Sequence, residues 1–95
     1  MGEKLLEKKL REKVKELGGV ALKFYSSHYT GLPDRIVFLK GGQTAFAEIK
    51  TTGQKPTPRQ KVVHALFRDL GYRVDVIDSQ ETLDNFINYC KSHAE

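Results

Sequence analysis

The 95-residue chain is 39% hydrophobic and 29% charged, with a formal net charge of +4. That balance excludes a disordered tract and a fibrous protein and leaves room for one modest core. A lone Cys90, no Cys/His group at zinc-site spacing and no long apolar run exclude an internal disulfide, a zinc finger, a signal peptide and a membrane span, so one domain over residues 1–95 is expected, in the cytoplasm, with no membrane partner and no organic cofactor.

In chain order, Leu6, Leu10, Val14 and Leu17 recur at helical spacing and predict a helix over Glu3–Leu17, stopped by Gly18-Gly19. Val20–Tyr25, rich in β-branched and aromatic residues, reads as a strand, and Ser26–Asp34, with Gly31 and Pro33, as a polar loop. Arg35–Leu39 is almost wholly apolar, as for a central strand covered on both faces. Lys40-Gly41-Gly42-Gln43 predicts a hairpin turn, with Thr44–Lys50 as the antiparallel partner. Thr51–Pro58 carries too many breakers for regular structure. A helix from about Arg59 to Leu70 shows Val63, Leu66, Phe67 and Leu70 on one face. Arg73–Ile77 follows as a fourth strand, and Leu83, Phe86, Ile87 and Cys90 mark a closing helix. The order αβββαβα, with a hairpin and then a helical crossover, implies an α/β fold: a mixed four-stranded sheet flanked by helices on both faces.

Charge is unevenly placed. Between Ile49 and Arg68 stand Lys50, Lys55, Arg59, Lys61 and Arg68 with no acid, whereas beyond them acids dominate. A basic surface next to an acidic one suits an oriented polyanion such as DNA, although a solvated basic face would look the same.

The residues able to do chemistry converge. Strand alternation puts Phe46, Glu48 and Lys50 on one face, and the hairpin brings Asp34 to the end of their strand. Two carboxylates beside a lysine suit Mg²⁺ or Mn²⁺, which take one or two acids and keep waters for substrate and nucleophile. A surface Glu-Lys pair and a turn-capping Asp would account for the same three residues. Glu7 falls on the apolar face of the first helix, where an acid needs a partner: a metal site, or simply Lys8 or Arg11. Glu3 shares that face nearer the end. Gln60 lies on the Val63/Phe67 face of its helix, where it could orient a water, a phosphate or Glu48, or act in the cap. His28 and His64 could serve as general acids but lie in no matching motif.

Gly31-Leu32-Pro33-Asp34-Arg35-Ile36-Val37, then Phe46-Ala47-Glu48-Ile49-Lys50, then Gln60 before an apolar helix and Gly71, resemble the VRR-NUC domain of the PD-(D/E)XK nuclease superfamily. The resemblance runs from about Glu7 to Ile77. It implies a restriction-endonuclease-like core in which Asp34, Glu48 and the Ile49 main-chain carbonyl bind Mg²⁺ or Mn²⁺. It also implies that Lys50 is the catalytic lysine, that Glu7 is the helix acid, reaching the metal directly or through water, and that Gln60 completes the set. Members of the family occur within larger repair enzymes and as stand-alone proteins, notably in bacteriophages. The stand-alone kind resembles Holliday-junction resolvases, which implies a homodimer acting on four-way DNA junctions. Lys23, Tyr25, Arg35, Lys55, Arg59 and Lys61 are the expected DNA contacts, with His28 and Tyr29 also in the loop before Asp34. Three other readings stay open: a flap or duplex endonuclease of restriction type, a non-catalytic DNA-binding module, and a protein-interaction domain.

Overall fold

The structure is a computed structural model describing residues 1–94. It consists of α1 (Glu3–Glu16), β1 (Val20–Lys23), β2 (Arg35–Leu39), a 3₁₀ turn (Lys40–Gly42), β3 (Gln43–Ile49), α2 (Pro58–Asp69), β4 (Arg73–Ile77) and α3 (Gln80–His93). The strands lie side by side in chain order, β1-β2-β3 antiparallel and β3-β4 parallel. A parallel pair needs a crossover, and α2 provides it. The expected αβββαβα order and mixed sheet are therefore present.

Local chemistry explains the joints. Gly41 and Gly42 both adopt positive φ, 80° and 75°, which lets the chain reverse between β2 and β3 without a side-chain clash. α2 begins with Pro58 in its first turn, where a missing N–H does no harm, behind a Thr57 capping box closed by Gln60. α3 starts behind a Ser79 cap that accepts from the Thr82 amide.

One face of the sheet carries α1 and α3. Leu6, Leu10 and Val14 from α1 meet Leu83, Phe86, Ile87 and Cys90 from α3 over Val37, Ala45, Ala47, Ile49 and Ile77. Burial of each large side chain contributes about 1.5–3 kcal/mol, so this layer holds most of the fold's stability. Cys90 is a buried core residue, as its place in the closing helix suggested. On the other face α2 covers an aromatic cluster in which Phe46 packs on Phe24, Phe67 and Tyr72 at centroid distances of 5.4, 4.9 and 5.5 Å.

Two expectations are corrected. β1 ends at Lys23 rather than Tyr25, because its partner β2 begins at Arg35, directly opposite Lys23. One more bond, from the Phe24 amide to the Asp34 carbonyl, follows before the chain turns away. β2 is covered on one face rather than both, with Phe38 exposed. A helix about 10 Å across spans about two strands spaced 4.8 Å apart, and α2 sits over β3 and β4.

Candidate active site

The site forms at the end of the sheet where β2 starts and β3 finishes. In the β2/β3 ladder Arg35 pairs with Ala47, so the next step outward sets Asp34 beside Glu48. Asp34 Oδ2 accepts the Ile49 amide at 2.9 Å, which fixes the carboxylate against the strand end. Gly31 makes the approach possible: at φ 82° it lets the loop before Asp34 press onto α2, and an added Cβ would come within 2.9 to 3.0 Å of Arg59 and Val63.

Glu48 is 1% exposed, yet both its oxygens are engaged. Gln60 Nε2 donates to Oε2 at 3.0 Å, Lys50 Nζ lies 3.7 Å from the same oxygen, and His64 Nε2 lies 3.4 Å from Oε1. The Gln60 amide has no freedom to flip, because its Oε1 already accepts the Thr57 amide at 2.9 Å. The helix cap therefore selects which end of Gln60 faces Glu48. Burial and the neighbouring Glu48 push the Asp34 carboxyl up to about 6, against the opposing pull of the Ile49 amide and Lys50.

Asp34, Glu48, Lys50 and Gln60 are thus brought together. Glu7 and Glu3 line the same cavity as Asp34 and Ile49, and the Glu7 carboxylate is held there by Arg11 and by Arg35 Nη2, the latter at 2.7 Å. Arg35, expected at DNA, is buried at 8% with its guanidinium turned to Glu7. Lys23 and Tyr25 line the cavity mouth, Tyr25 with 82% of its surface in solvent. Lys55, Arg59 and Lys61 are exposed, and Arg59 bonds Thr30 Oγ1 and stacks on Tyr29. His28 lies exposed in the loop. His64 is the residue that motif reasoning passed over, although its signal was present: it lies four residues after Gln60 and therefore on the same helix face.

The arrangement fits a hard divalent cation. Asp34 and Glu48 are adjacent carboxylates whose proximity disfavours two negative charges unless a cation joins them. Among the described residues no third His, Cys, Asp or Glu completes a protein cage. That donor set leaves coordination places for water and phosphate, the pattern of Mg²⁺ rather than of structural zinc.

A mixed sheet with an acid at the head of β2 and an acid-x-lysine at the end of β3 defines the class: a nuclease fold of the PD-(D/E)XK type. No family model matches the chain. It is 46% identical over 76 residues to a protein described as "Putative nuclease p44", from Acyrthosiphon pisum secondary endosymbiont phage 1. That match spans 80% of this chain and 82% of the phage protein. A solved structure described as a VRR_NUC domain superposes with a TM-score of 0.85 at 33% identity, over 92% of this chain and 95% of the other. The chain belongs to the VRR-NUC nuclease family.

Proposed function

We propose that the chain is a Mg²⁺- or Mn²⁺-dependent endodeoxyribonuclease that hydrolyses phosphodiester bonds in branched DNA, four-way junctions above all. It would act as a single-domain subunit of a homodimer in the cytoplasm, that of the host cell if the protein is viral. The observation that carries this reading is the Asp34–Glu48 carboxylate pair with the Lys50 ammonium 3.7 Å from Glu48, in a chain of nuclease family.

Asp34, Glu48 and the Ile49 carbonyl are the groups that would hold the metal, with Glu7 in reach of the same cavity. When bound, the metal would polarise the scissile phosphate and raise the acidity of a water. Lys50 would orient the attacking water and offset charge building on the phosphate. Gln60 and His64 hold Glu48 in one orientation throughout. Lys23, Lys55, Arg59 and Lys61 supply phosphate contacts, and Tyr25 offers a face on which an unpaired base could stack.

The test is cleavage of labelled four-way junction, flap and plain duplex in Mg²⁺, Mn²⁺ or EDTA, alongside Asp34→Asn and Lys50→Ala. Paired, metal-dependent nicks across the junction, lost in both variants, are expected. Cleavage confined to flap or duplex would overturn the substrate. Binding without cleavage of any substrate would overturn the enzyme and leave a DNA-binding module.

A further inference from the structure

Just over half of the large apolar side chains that the fold leaves in solvent are gathered on one side. Among the described residues eleven are exposed, and six of them, Val20, Leu22, Phe38, Leu66, Leu70 and Tyr72, lie together at 42% to 66% exposure. Val20 stands opposite Phe38 and Leu22 opposite Ile36 in the β1/β2 ladder. They form a floor on the part of the sheet that α2 does not reach.

α2 supplies a wall beside that floor. On one flank of the helix, Arg68 donates to the Val74 carbonyl of β4. On the opposite flank, Arg59 reaches Thr30 and Tyr29 in the β1–β2 loop. Leu66 and Leu70 follow Arg59 by seven and eleven positions and so share its flank. They look out over the β1–β2 side. Tyr72, edge-on to Phe46, lies at the end of the floor where α2 finishes.

Six such side chains leave on the order of 500 Å² of apolar surface in one place, at the top of the range for the largest patch of a monomer. It is also about the size of the apolar centre of a stable interface, which removes roughly 800 Å² per partner inside a polar rim. The intervening β1 residues, Ala21 and Lys23, point to the other face of the sheet, so the floor offers no charge to a phosphate backbone. A raised ridge beside a flat floor on one surface is self-complementary, which an isologous contact requires. The catalytic residues lie at the other end of the strands, where Asp34 precedes β2 and Glu48 meets Gln60 and His64 of α2.

We propose that two copies of the chain associate through this surface about a two-fold axis, the Leu66–Leu70 ridge of each lying over the Val20, Leu22 and Phe38 floor of the other. The proposal rests on the homodimer reading above and gives it a surface.

Sedimentation equilibrium of the wild type, Phe38→Glu, Leu66→Glu and Leu5→Glu tests it, with circular dichroism confirming that each variant is folded. Leu5 is equally exposed but lies on α1. The expected result is a dimeric wild type and Leu5→Glu, with association weakened at least tenfold, toward monomer, in both Phe38→Glu and Leu66→Glu. A wild type that stays monomeric up to about 100 μM, a regime of very weak association, would overturn the proposal. So would a dimer that survives both face substitutions. Cleavage by the same samples separates the two readings. A monomeric wild type that still cuts DNA defeats the surface alone, and a dimer that cuts nothing defeats the nuclease alone.

Discussion

Asp34 is held in an environment that disfavours its charge, and removing that charge should stabilise the protein while silencing it. The carboxyl is pushed from 3.8 up to about 6 by burial first and then by Glu48. A shift of about two pKa units corresponds to about 3 kcal/mol at 1.36 kcal/mol per unit. Partial exposure to solvent screening halves this to about 1.5 kcal/mol. The sign follows from proton linkage. The folded state keeps the proton to higher pH than the unfolded chain, so the favourable contribution is complete below 3.8 and is lost as pH rises through about 6. Asp34→Asn keeps a side-chain acceptor for the Ile49 amide but carries no charge. Urea denaturation in EDTA should find the variant more stable by about 1.5 kcal/mol at about pH 7.5, equivalent to a Tm rise of about 6–12 °C for a chain of this size. The advantage should shrink toward zero near pH 4, where wild-type Asp34 is mostly protonated. Added Mg²⁺ should then raise the stability of the wild type and leave the variant unmoved. An Asp34→Asn protein no more stable than wild type at neutral pH would refute the argument that the carboxylate pair is electrostatically strained without a cation.

His64→Ala is expected to leave Glu48 with one neutral donor, raising the Mg²⁺ concentration for half-maximal cleavage by roughly tenfold, while His64→Gln restores much of it. Calorimetric Mn²⁺ titration of the variants should follow the same order, and unchanged metal affinity in His64→Ala would remove the residue from the site. Thr57→Ala should lower stability by about 0.5–2 kcal/mol through the lost cap on the Gln60 amide and also slow cleavage, because a frayed first turn holds Gln60 less firmly against Glu48. A stability loss with activity intact would uncouple cap from catalysis. Lys55→Ala with Arg59→Ala should reduce the slope of log affinity against log salt by about two, measured on uncleavable DNA in Ca²⁺; an unchanged slope would take both residues off the phosphate path.

Much of the site could be read from the chain because it depends on short-period rules. Alternation along β3 alone places Glu48 and Lys50 on one face, and Gly41-Gly42 identifies the hairpin that returns them to Asp34. What escaped depends on which helix covers which part of the sheet. Arg35 reads as a surface cation until α1 is docked. In the fold it shares the inner face with Val37 and Leu39 and meets Glu7. The apolar character of β2 was legible, but its cause was not, since no local pattern reveals that α2 stops short of that strand. His64 could be proposed as a general acid but fell in no motif, because its partner, Glu48, lies sixteen positions back across the crossover.

The position of Gln60 and His64 on α2 makes the alignment of Glu48 a late event in folding. The β2–β3 hairpin can bring Asp34 and Glu48 together by itself, yet both side-chain donors that orient Glu48 arrive only when the crossover helix closes the parallel pair with β4. A nascent or partly folded chain would hold the acids without their alignment. With Glu48 in its proposed role, competence to cut DNA would be tied to completion of the sheet, and in refolding it should return with docking of α2 rather than with the hairpin.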